Sequence, residues 1–205
     1  MGIFNFAQLR KVSLETLLAS FKSYGQALYN MARGIDESPI VPFYEKEEVK
    51  SVGHRHTIDH DTDDPGEIKQ ILLKLAELVA RRLRAKKLVG KTVSCWFRYV
   101  GFEGNRMQTT IQHTNDGLEI FKAAWKMFGG IWDKGKIRMI GVSISNLRPS
   151  LPQTLSLLEE TSERETILRV IDKINDKFGE FTLQRGVLLG STQMRRKPNP
   201  YLADR

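Results

Sequence analysis

Apolar positions recur at helical spacing near both ends of the chain and alternate at strand spacing through its middle. Leu14, Leu17, Leu18, Phe21, Leu28 and Met31 share a helical period over residues 1–33, interrupted at Tyr24-Gly25. Ser13 is placed to cap that segment, with Glu15 and Thr16 in its first turn, and Gly34 to stop it. About 35 residues make too small a core to stand alone. Residues 35–48, IDESPIVPFYEKEE, carry two prolines and an excess of acids, the composition of an extended linker.

From Val49 the order is strand, helix, strand, strand, helix, strand. Residues 49–60 lean to strand and end in an Asp-rich turn before Pro65-Gly66. Ile68, Ile71, Leu72, Leu75, Leu78, Val79 and Leu83 form one stripe of a long amphipathic helix. Over 91–100, Val93, Cys95, Phe97 and Tyr99 face one way, and Thr92, Ser94, Trp96 and Arg98 the other. Glu103-Gly104-Asn105 turns the chain into a return strand at 106–113. A second helix is expected at 116–128, ending at Gly129-Gly130, and a last strand at 137–147 with Ile140, Val142 and Ile144 on one face. Two helices on one side of a four-stranded antiparallel sheet make an α+β, ferredoxin-like sandwich with one polar sheet face open. Beyond Pro149 the pattern predicts a low-structure stretch, a helix at 163–178, a strand at 181–189 and a flexible tail.

The 205 residues, 40% hydrophobic and 27% charged, fit a soluble globular protein rather than a disordered or membrane one. A lone cysteine, Cys95, excludes an internal disulfide framework. The first residues lack the pattern of a secretion signal, and no apolar run is long enough to span a bilayer. Cytoplasmic location and no membrane partner are expected.

Charge changes the picture more. The 32 Lys and Arg against 24 Asp and Glu leave a net charge of +8, and the bases cluster. Arg81, Arg82, Arg84, Lys86, Lys87 and Lys91 run with no acid among them. That asymmetry favours a nucleic-acid partner, with a solvated helix face as the plain alternative.

Catalytic constellations do not emerge. Asp59, Asp61 and Asp63 imitate the start of a calcium loop, but Asp64 and Gln70 stand where Gly and Glu are needed, so a helix-capping turn is the better reading. His54, His56 and His60 lie close together, but the pattern fixes no third metal ligand. No GxxxxGK[ST], GxGxxG or GxSxG is present. The open sheet face offers more. Ser51, Gly53, Arg55 and Thr57 share one side of the first strand, Thr92, Ser94, Trp96 and Arg98 a side of the second, and Arg106, Gln108, Thr110 and Gln112 a side of the third. Hydroxyls, a bare glycine and spaced arginines can donate to phosphate oxygens, whereas one Trp does not make the paired aromatics of an RNA-recognition motif.

The runs LYNMARGID (28–36), KSVGHRHTI (50–58), GKTVSCWFRYVGF (90–102), the Arg106 strand, KIRMIGVSISNL (136–147) and KINDKFG (173–179) resemble, in order and spacing, Y-family translesion DNA polymerases of the bacterial DNA polymerase IV type. The resemblance implies that 1–35 is the end of the thumb, 36–48 a tether, 49–148 the little finger domain, and 149–205 a C-terminal extension. It implies duplex or primer-template DNA as partner and phosphate contact through Arg106; Arg138 is a further candidate DNA contact. Arg55 departs from the family pattern, which often has Glu there, as do Met107 and Gln108, where Ser and a basic residue are expected. The palm carboxylates that bind Mg²⁺ in these enzymes precede the thumb, so this chain is expected to need no cofactor and to be inactive alone. Gln153, Leu155, Leu157 and Leu158 resemble a sliding-clamp-binding motif with one residue inserted; an apolar run packing on the following helix is the alternative. A monomer is expected. The competing function class is a non-catalytic module that binds protein or RNA through the same sheet.

Overall fold

The computed structural model describes residues 2–42, 44, 48–101, 103–150 and 160–190, with backbone alone at 160–162. The chain divides into two units, Met1–Glu47 and Glu48–Arg205.

The first unit holds three short helices, α1 (Phe6–Lys11), α2 (Leu14–Phe21) and α3 (Ser23–Met31). The Ser13 side chain accepts the amide of Thr16 and so caps α2. The break falls at Lys22, whose φ of 52° reverses the chain, and not at Tyr24-Gly25. Gly25 instead lets α3 close on α2: a Cβ there would stand 2.4 Å from the Leu17 carbonyl oxygen. Among the described residues of this small unit, Leu17 is the buried apolar side chain.

The second unit is built on a sheet with the order β1-β4-β2-β3, from β1 (Ser51–Thr62), β2 (Leu88–Tyr99), β3 (Gly104–Thr114) and β4 (Ile137–Ser145), all neighbours antiparallel. A two-residue strand, β5 (Arg148–Pro149), pairs with the start of β2. The α+β class expected from the pattern is borne out. Val52, Val93, Cys95, Phe97, Ile140, Val142 and Ile144 turn inward and meet the helices α4 (Pro65–Ala85) and α5 (Gly117–Ile131).

Both helices start for local reasons. Asp64 accepts the amides of Gly66 at 2.9 Å and Glu67 at 3.3 Å, with Pro65 in the first turn, so the Asp-rich segment ends in a helix cap. Asp116 accepts the Leu118 amide at 2.7 Å. The α4 stripe is fully buried at Ile68, Leu72, Leu75, Ala76, Val79 and Leu83, and each large side chain contributes about 1.5–3 kcal/mol. α5 runs through Gly129-Gly130, where a stop was expected. Stacked rings of Phe128 and Trp132, 5.1 Å apart, and the Trp132 amide on the Phe128 carbonyl carry the helix one turn further.

A third helix, α6 (Glu160–Phe178), lies across α4 and α5. Beyond it the segment expected as a strand forms a 3-10 turn at Gly186–Leu188, with Leu188 buried in the main core. Ion pairs hold this layer. Arg84 donates to both carboxylate oxygens of Asp172 at 2.6 and 2.7 Å, Arg81 pairs with Asp176, Arg164 with Asp116, and Arg185 with Glu77. Among its described side chains α6 buries Leu168 and Asn175, and a cleft of about 490 Å³ stays open between α4 and α6.

Candidate nucleic-acid interface

Strand register builds the open face row by row. Ser51 pairs with Ser145, Ser145 with Thr92, and Thr92 with Thr110. The next row is Gly53, Ser143, Ser94 and Gln108; the next Arg55, Gly141, Trp96 and Arg106; the last Thr57, Met139, Arg98 and Gly104. The residues assigned to this face from alternation in β1, β2 and β3 therefore come together on one surface. The central strand β4 adds Met139, Gly141, Ser143 and Ser145. Sequence reasoning named none of these four, although the inward alternation of Ile140, Val142 and Ile144 implies them.

The rows differ in reach. Thr92 and Ser94 are 8% and 3% exposed, so they form the floor, and the Thr92 hydroxyl accepts from the Asn146 amide nitrogen at 2.8 Å. Ser51, Gly53, Arg55, Thr57, Arg106, Gln108 and Thr110 are exposed, and they stand along the edge strands β1 and β3. Gly53 keeps the second row low: a Cβ there would stand 2.9 Å from the Ser143 Cβ. Trp96 and Arg98 are half-buried and border a shallow depression of about 440 Å³ with Gly104, Asn105, Arg106 and Met139.

Electrostatics separates the arginines. Arg55 and Arg106 make no ion pair among the described residues, and no carboxylate lies within the four rows. Arg138 is different. Its guanidinium donates to both oxygens of Asp61 at 2.9 Å, and that hydrogen bond holds the Asp61 carboxyl below its usual value and raises Arg138. The basic run on α4 is also engaged. Arg81 and Arg84 are paired with α6 carboxylates, and Arg82 donates to the Gly53 carbonyl at 3.1 Å. Beyond the first row, Lys91 and Arg148 lie near His113; burial first, then their charges, lowers its pKa. Gln153, Leu155, Leu157 and Leu158 lie outside the described residues.

Among the described residues no group of three or more His, Cys, Asp or Glu side chains can hold a metal ion. His60 meets Glu67 at 3.1 Å instead. Among the same residues, no helix is long and apolar enough to cross a membrane.

An antiparallel sheet with helices on one face and an arginine-bearing polar surface on the other defines a two-layer α+β domain. Residues 49–157 match the C-terminal domain of the impB/mucB/samB family, and the chain belongs to that family. It is similar to DNA polymerase IV of Moorella thermoacetica, 32% identical over 191 residues, which are 92% of this chain and 48% of that protein. It is similar also to DNA polymerase IV 2 of Halalkalibacterium halodurans, 31% identical over 195 residues, 91% of this chain and 46% of that protein. A putative UV-damage repair protein, UvrX of Bacillus subtilis, is 32% identical over 192 residues, 91% of this chain and 46% of that protein. The chain thus spans about half the length of these relatives. The resemblance to Y-family polymerases of the DNA polymerase IV type is borne out.

Proposed function

We propose that this chain is the DNA-binding little finger region of a translesion DNA polymerase, and that its open sheet face holds primer-template duplex by the phosphate backbone. One observation carries the reading. Arg55 and Arg106 flank a row of the open face that holds no acid, while Arg81, Arg84, Arg138, Arg164 and Arg185 are each paired with a carboxylate. Free guanidinium groups beside hydroxyl and amide donors suit phosphate oxygens, which fix position without reading sequence. Mg²⁺-dependent nucleotidyl transfer belongs, in this reading, to the half of the relatives that this chain does not cover. A monomeric, cytoplasmic protein fits the same reading.

The test is a titration of two unrelated duplexes across a salt series. Equal affinities are expected, with a slope of log K against log salt near −4 to −5 for ~4–6 neutralised phosphates. Arg55→Ala and Arg106→Ala should each flatten that slope by about one unit. An unchanged slope in the double variant contradicts the assignment of the site, and absence of duplex binding favours a protein- or RNA-binding module.

We further propose that Gln153, Leu155, Leu157 and Leu158 tether the chain to a sliding clamp. The support is their sequence and their place between Pro149 of β5 and the start of α6 at Glu160. Burying Leu157 and Leu158 in an apolar cleft would contribute about 1.5–3 kcal/mol each, less the cost of ordering the segment, so a micromolar complex is expected. The triple substitution Gln153→Ala/Leu157→Ala/Leu158→Ala should abolish clamp binding and leave DNA affinity and Tm unchanged. A sharp fall in Tm would place those leucines in the core instead.

A further inference from the structure

Trp96 is the large aromatic side chain on a face otherwise made of hydroxyls, amides, glycines, arginines and Met139, and backbone gripping gives it no task. Its position is specific. A Cβ built on Gly141 would stand 2.3 Å from its Cζ2, 2.4 Å from Cε2 and 2.8 Å from Nε1. Those three separations put the Cβ out of the indole plane and over its Cζ2–Cε2–Nε1 edge, so that edge of the indole lies across β4 in the space of the missing side chain. Gly141 has no side chain to hold the ring off β4, and the ring is half-buried, so part of it remains accessible on the open face. The Nε1–H meets no acceptor among the described residues. The ring also borders the depression of about 440 Å³, a size within the range of small-ligand clefts.

The neighbours of the ring are cations. In the same row Arg55 lies on one side, across Gly141, and Arg106 on the other, directly paired with Trp96. Three strand spacings put their Cα atoms about 14 Å apart, with Trp96 between them, and Arg106 lines the depression beside the ring. A flat aromatic platform between cations is the arrangement that holds single-stranded nucleic acid, because every base has a π-face and every nucleotide step a phosphate. A paired base cannot use the platform, since its faces are covered by its neighbours in the stack.

We propose that Trp96 is a stacking seat for one unpaired base of a single-stranded DNA segment, with Arg55 and Arg106 on the flanking phosphates. The proposal rests on the DNA-binding reading above and adds a preference for DNA with an unpaired extension. The bland role for the ring is to fill the gap over Gly141, and that role predicts no discrimination between a base and its absence.

The experiment compares two primer-templates of identical length and phosphate number. One has a 5′ template extension of thymidines, the other the same extension with abasic sites. The whole chain should bind the base-containing probe about 10-fold more tightly. Trp96→Ala should remove that difference without weakening the abasic probe, and Trp96→Phe should keep most of it. Gly141→Ala provides a second route, since its methyl group enters the ring's place while Arg55 and Arg106 stay intact; the difference should shrink there too. Equal affinity of the wild-type chain for both probes overturns the proposal. So does a Trp96→Ala variant of unchanged Tm that weakens both probes alike. Should Trp96→Ala fail to fold, Trp96→Phe and Gly141→Ala decide. The backbone reading fails separately, through an Arg55→Ala/Arg106→Ala variant that binds the abasic probe with unchanged affinity and salt slope.

Discussion

Arg138 and Arg106 are alike in charge and opposite in surroundings. The Asp61 carboxylate takes two hydrogen bonds from Arg138, whereas Arg106 stands exposed on β3 with no carboxylate in its row. A guanidinium already satisfied by a carboxylate has less to gain from a phosphate. Arg138→Ala is therefore expected to leave the salt slope of duplex binding unchanged where Arg106→Ala flattens it. The same substitution should raise the Asp61 pKa toward the ordinary carboxylate range, readable by NMR titration. The sign follows from the lowered value: the pairing stabilises the fold above the ordinary range and is lost as pH falls through the lowered pKa. Alternation alone could place Ser51, Gly53, Arg55 and Thr57 together. It could not separate Arg138 from Arg106, because whether an arginine is engaged depends on an acid 77 residues away in the chain.

At the scale of elements, α6 answers a question left open by the sequence. The run Arg81, Arg82, Arg84 reads as a nucleic-acid patch until Asp172 and Asp176 are brought onto it. The Arg84–Asp172 pair is 11% and 18% exposed, well shielded for a charged pair, and Arg84 also donates to the Asn115 carbonyl. Asp172→Ala should cost about 1.5–3 kcal/mol in a denaturant titration, since it leaves a shielded guanidinium without its carboxylate. DNA affinity should not fall with it. The starts of α2 and α4 were legible, because Ser13 and the Asp-rich turn ending at Asp64 act within three residues of themselves. Helix ends and the 181–189 segment were not. The continuation of α5 through two glycines depends on ring stacking at Trp132, and the 3-10 turn depends on burying Leu188 against a core laid down by distant strands.

At the scale of the whole second unit, two helices and the α6 layer cover one sheet face, and the other stays open. The class of fold follows from strand and helix periods alone, but the order β1-β4-β2-β3 comes from long-range pairing. That order puts Gly141 of β4 between Arg55 and Trp96, which no local pattern shows. The account stands on DNA lying across this face and not on the helical layer. Amide hydrogen exchange with and without a primer-template duplex tests that directly. Slowed exchange is expected along the exposed edge strands, residues 51–57 of β1 and 104–112 of β3, with α4 and α6 unchanged. Slowed exchange on α4 and α6, with β1 and β3 unchanged, would contradict the account.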